Sequence, residues 1–146
     1  MKRAQRLDQF RAGLESSERE HRARLAAAEA KLGEARSRLA ELQRYRDEYL
    51  QGLGNRTASG IDATALRDYH AFVARLGEAV RQQTLLLSRT ELECDFERQR
   101  WHEAATRSRA VASVVERWRQ EERVTVARAE QRESDEWARQ VSQRPN

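Results

Sequence analysis

The chain has 146 residues, of which 36% are charged and 38% hydrophobic, with a formal net charge of +4. Alanine supplies 22 of the hydrophobic residues, so 34 larger apolar or aromatic side chains remain, too few for a conventional globular core of this length. The net charge does not signal nucleic acid, because residues 1–50 hold 12 Lys/Arg against 9 Asp/Glu and residues 62–146 hold 15 of each, with acids set among the arginines throughout.

The first element is a helix over about residues 3–50. Its apolar stripe runs Leu7, Phe10, Leu14, Ser17, His21, Leu25, Ala28, Leu32, Ala35, Leu39 and Leu42, then Tyr45 and Tyr49. The spacing is 3-4, with two consecutive steps of four around His21, a stutter that relaxes a left-handed supercoil locally. Pairs such as Glu18 with Arg22 and Glu34 with Arg38 support the exposed face at i,i+4 spacing.

One stretch interrupts the helical pattern, QGLGNRTASGI at 51–61, which reads as a hinge. Gly52 or Gly54 is expected to close the first helix, and Asp62 to cap the second.

The second helix is expected over 62–140, followed by a flexible tail at 141–146 that contains the only proline, Pro145. From Leu66 to Ala129 a 3-4-3-4 seam runs without a break: Leu66, Tyr69, Val73, Leu76, Val80, Gln83, Leu87, Thr90, Cys94, Glu97, Trp101, Ala104, Ser108, Val111, Val115, Trp118, Glu122, Thr125 and Ala129. A short hinge makes the two helices antiparallel neighbours in a single coiled-coil hairpin, all-α, with the second helix longer. Folding at about residue 56 gives contacting residue numbers that sum to about 112. Ala35 then meets Gly77, Leu32 meets Val80, and Leu25 meets Leu87. Helix two is expected to overhang the N-terminus of helix one by about thirty residues.

Two thin helices offer no enclosed pocket for catalysis, and no Ser/His/Asp or Cys/His constellation forms on them. The hinge lacks the lysine-serine ending of a phosphate loop. His21, His70 and His102 lie apart with no ligand spacing around them, so neither a metal nor a cofactor is expected. Cys94 sits in the seam as a small buried hydrophobe, which fits a reducing cytoplasm. No 7–15 residue apolar run follows Lys2, Arg3 and Arg6, and no stretch of 18 apolar residues exists, so neither a secretory leader nor a membrane span is expected.

Apolar surface is left over in two places. Beside the hinge lie Tyr45 and Tyr49 with Tyr69, Phe72, Leu76 and Ala79, and the offset of Phe72 and Ala79 from the seam turns them sideways toward solvent, which makes the cluster either a widened end of the core or an exposed docking site. In the overhang, Val111, Val114, Val115 and Trp118 have no internal partner. They are expected to meet another protein, a second copy, or a start of helix one that extends further along helix two than this register allows.

That resemblance rests on four segments in order: LQRYRDEYLQGL with Leu42, Tyr45 and Tyr49; LRDYHAFVARLGEAVRQQ with Phe72, Leu76 and Ala79; ERQRWHEAATRSRA around Trp101; and AEQRESDEWA near the C-terminus. Over nearly its whole length the chain resembles FliJ, the small coiled-coil subunit of the bacterial flagellar type III export apparatus. The resemblance implies a non-enzymatic stalk with a fold like the coiled coil of the F-type ATPase gamma subunit. It implies insertion of the open helix ends into a hexameric export ATPase, which makes Val111, Val114, Val115 and Trp118 the expected ring contact, docking of the hinge end on the membrane-embedded export-gate protein, and recycling of export chaperones. Leu42, Tyr45, Tyr49, Phe72, Leu76 and Ala79 match the gate-facing patch. The location implied is cytoplasmic, peripheral to the inner membrane, with the free chain monomeric. The equivalent stalk of a virulence injectisome, or a self-associating structural coiled coil, are the alternatives.

Overall fold

The computed structural model describes residues 2–144, leaving out the side chains of Lys2 and Ala4. It is an antiparallel two-helix coiled-coil hairpin, with α1 spanning Lys2–Ser59 and α2 spanning Ala63–Gln143. Helix one therefore runs nine residues beyond its expected end. Gly52 and Gly54 lie inside it, and Gly60 is the residue that turns, with φ 97°. A left-handed residue directly after the last helical turn is the usual C-terminal stop, and glycine adopts it without a Cβ clash.

The polar segment before Gly60 stays helical because its hydroxyls bond backward. Thr57 donates to the Leu53 carbonyl at 2.7 Å and Ser59 to the Asn55 carbonyl at 3.2 Å. On the far side of the turn Asp62 caps α2 as expected, its Oδ1 accepting from the Ala65 amide at 2.7 Å. The tail expected at 141–146 is helical through Gln143, and Pro145 and Asn146 lie outside the described residues.

Two compact units divide the chain. One comprises residues 21–101, the other residues 1–20 with 102–146. In the first, Leu25, Leu32 and Cys94 form the core, with Ala28, Leu87 and Trp101 packed against it. Leu76, Val80 and Ala35 are also buried, and so is Thr90, whose hydroxyl donates to the Leu86 carbonyl at 2.7 Å. In the second unit Ala104, Ala105, Ser108 and Val115 are buried. These residues are small, which is what lets two helix backbones approach closely.

The register differs from the one expected by one heptad. In the first unit the Gln83 side chain donates to the Ala35 carbonyl at 3.2 Å, and Tyr49 stacks on Tyr69 at 4.8 Å, pairs that sum to about 118. In the second, Arg3 lies 4.1 Å from the centroid of Trp118, a pair summing to about 121. Ala35 thus meets Gln83 rather than Gly77, and Leu87 packs against the core that Leu25, Leu32 and Cys94 form. The cause is the turn. Closing the hairpin at Gly60 instead of near residue 56 shifts every pairing by about seven.

Candidate functional site

The hinge-proximal aromatics come together. Tyr49 is at their centre, 4.4 Å from Phe72 and 4.8 Å from Tyr69 between ring centroids. Tyr45 lies 6.2 Å from Tyr49 and 6.3 Å from Phe72, the latter edge-on. These separations fall in the range where aromatic pairs attract beyond their buried area. The i,i+4 spacing of Tyr45 and Tyr49 sets both on one face of α1, and Tyr69 and Phe72 occupy the facing turn of α2. Arginines frame the cluster, Arg56 at 5.5 Å from the Tyr69 ring and Arg75 at 5.7 Å from Phe72.

The patch is less exposed than the sequence suggests. Phe72 and Ala79, expected to lean into solvent, are half-buried, and Leu76 belongs to the core at 8% exposure. Phe72 turns inward because the Tyr49 ring offers it a flat apolar surface. Tyr45 is the outward member, 50% exposed, and Leu42 beside it is half-buried. Both line a shallow depression of about 500 Å³ with Arg38, Glu41, Arg44 and Glu48. An exposed ring set among charges of both signs is suited to hold an apolar side chain of a partner while the rim pairs with its polar groups.

Below Ala79, Glu78 accepts from Arg81 at 2.7 and 3.0 Å. That hydrogen bond, with the Arg81 charge, holds the Glu78 carboxyl below its ordinary range against a smaller opposing effect of burial.

The group at Val111, Val114, Val115 and Trp118 is covered within the chain, by a start of α1 that reaches further along α2 than the expected register allows. Val115 is fully buried, while Val111, Val114 and Trp118 are half-buried. The one-heptad shift brings the first turns of α1 alongside them. The Arg3 guanidinium lies over Trp118, which shares a shallow cleft with Arg6, Leu7 and Phe10. Ion pairs fasten the same place, Asp8 to Arg119 at 2.8 Å and Arg3 to Glu121 at 3.5 Å. Beyond this contact α2 continues to Gln143 with Val124, Val126, Trp137 and Val141 exposed. The sequence reading missed these four as the uncovered residues, although their positions past the seam's last large member would have marked them in the correct register.

Among the described residues no group of three or more His, Cys, Asp or Glu side chains is placed to hold a metal ion, and no helix is long and apolar enough to cross a membrane.

No curated relative and no solved structure matches the chain. A protein-family model described as flagellar FliJ protein matches residues 2–146. A match over essentially the whole chain, on a two-helix hairpin with the ordered aromatic segments in place, means that the protein belongs to the FliJ family and is a component of flagellar type III export.

Proposed function

We propose that the chain is a non-catalytic stalk of the export apparatus, docking at its hinge end on the membrane export-gate protein and at its other end on the export ATPase ring, and handling export chaperones between cycles. The observation that carries the gate assignment is the aromatic cluster with Tyr45 half-exposed at its edge. Leu42, Tyr45, Tyr49, Phe72 and Ala79 form the docking face, and Leu76 supports them from the core. At the other end, Val115 fixes the two helices together, and the outward edges of Val111, Val114 and Trp118 continue into α2 beyond residue 122. A lone helix with Val126 and Trp137 exposed is narrow enough to enter a ring, and the Arg and Glu side chains along it supply pairing groups.

Binding of the purified chain to the cytosolic part of the gate protein tests the first contact. Tyr45→Ala should weaken it about tenfold or more, as expected for the exposed aromatic anchor of the docking face. Leu85→Ala, changing an exposed leucine away from the patch, should leave it unchanged. Equal binding by both variants overturns the assignment. For the second contact, truncation after residue 122 should keep the hairpin helical and abolish stimulation of ATP hydrolysis by the hexamer. Undiminished stimulation places the ATPase contact elsewhere.

A further inference from the structure

Within residues 21–101 the two sides of the hairpin differ. One side is bridged by ion pairs between the helices, Glu29 with Arg98 at 3.8 Å and Arg36 with Glu91 at 3.9 Å. On the other a shallow groove of about 530 Å³ runs between the helices. Its α1 wall carries Arg24, Ala27, Ala28 and Lys31, small at the centre and basic at the ends. Its α2 wall carries Leu92, Glu93, Phe96 and Glu97, bulky and acidic. Leu92 is 71% exposed, the highest value for a large apolar side chain among the described residues, and Phe96 is 58% exposed with Arg100 at 5.6 Å from its ring. None of Arg24, Lys31, Glu93 and Glu97 takes part in an ion pair among the described residues.

We propose that this groove is the contact surface between two copies of the chain, packed side by side and parallel about a two-fold axis that runs along the helices. Symmetry and charge together select this arrangement. In the observed register Ala28 stands at nearly the height of Leu92, and Arg24 at that of Glu97. A two-fold axis along the helices preserves height and exchanges the walls. Leu92 and Phe96 of each copy then fill the alanine surface of the other, while Arg24 and Lys31 of each face Glu97 and Glu93 of the other. An antiparallel pair instead sets basic wall on basic wall and Leu92 on Leu92, leaving both alanine surfaces open. The patch is short, so the dimer is weak and reversible, below the area of a standard stable interface. Dilute protein is then monomeric, its seam satisfied within one chain. Dimerisation concerns the free chain and goes beyond the stalk reading, on a face that neither proposed docking end uses.

Sedimentation equilibrium of the full chain, from low micromolar to several hundred micromolar, should show a reversible monomer–dimer equilibrium. Charge reversals Arg24→Glu with Lys31→Glu, or Glu93→Arg with Glu97→Arg, should each weaken the dimer about tenfold or more, since each converts four facing pairs to like charge. An equimolar mixture of the two double variants should restore it, because every reversed wall then meets its opposite. Leu92→Ser, at an exposed position outside the core, should weaken the dimer without loss of helicity. Spin labels at Thr57→Cys in a Cys94→Ala background should report the two hinge ends near one another. A chain that is monomeric at every concentration, a dimer indifferent to the reversals and to Leu92→Ser, or hinge labels far apart would each overturn the proposal.

Discussion

Replacing Val115 by alanine separates the two registers by the sign of its effect. Val115 is fully buried where the start of α1 packs on α2. Removing two methyl-sized groups from such a site costs about 1.6 kcal/mol at roughly 0.8 kcal/mol per buried CH₂, and the cavity adds to it. Alanine returns about 0.5 kcal/mol through its higher helix propensity. The net expectation is a loss of about 1–2 kcal/mol, or roughly 5–30-fold in the local opening equilibrium. Had the residue lain on an uncovered overhang, only the propensity would act and the variant would be slightly more stable. Global denaturation of a long hairpin blurs such a local change, so amide hydrogen exchange over residues 108–118 is the appropriate measure. Exchange there should accelerate in Val115→Ala and stay unchanged or slow in Val124→Ala, whose side chain is 39% exposed. Equal protection in the two variants would refute the burial of Val115, and with it the register.

The turn yields three further predictions, all read by thermal or urea unfolding followed by circular dichroism. Gly60→Ala should destabilise by about 1–2 kcal/mol, because φ 97° places a Cβ against the neighbouring carbonyl. Gly52→Ala and Gly54→Ala should each stabilise by up to about 1 kcal/mol, since both lie inside α1 with open space where a Cβ would stand. Asp62→Ala should cost about 1 kcal/mol by leaving the Ala65 amide uncapped, and Asp62→Ser should recover most of it.

The seam of α2 was legible almost residue by residue. Leu76, Val80, Thr90, Cys94, Ala104, Ser108 and Val115 are buried, the remaining members are half-buried, and Thr125 alone of the nineteen is exposed. The stripe of α1 was nearly as clear, with Phe10 and Tyr45 its exposed members. Periodicity settles which face is inward because each side chain's angular position follows from 3.6 residues per turn. It does not settle register, because sliding one seam along the other by seven residues returns seam to seam. Leu32 meets an apolar seam residue whether that residue is Val80 or Leu87. The register was instead decided at the turn, where Thr57 and Ser59 look like loop residues and bond back to the helix. The signal that could have found it is Gly60 directly before Ile61 and Asp62, a helix stop followed at once by a helix cap.

That shift of seven residues decides which side chains are left uncovered far from the turn. Near the turn, closure at Gly60 brings Tyr45, Tyr49, Tyr69 and Phe72 together, with ring contacts of 4.4 to 6.3 Å. Val111, Val114, Val115 and Trp118 lie far from the turn, where the added turns of α1 bring Arg3, Leu7 and Phe10 alongside. The groove at Leu92 and Phe96 was illegible for a different reason. Leu92 lies off the seam and Phe96 beside it, so each reads singly as a scattered exposed hydrophobe. They become a surface only once the register sets Ala27 and Ala28 across from them, with opposite charges ranged along the two walls. Surface function on a two-helix rod is therefore a property of pairs of positions, and the turn that fixes the pairs carries as much of it as the residues that line the patches.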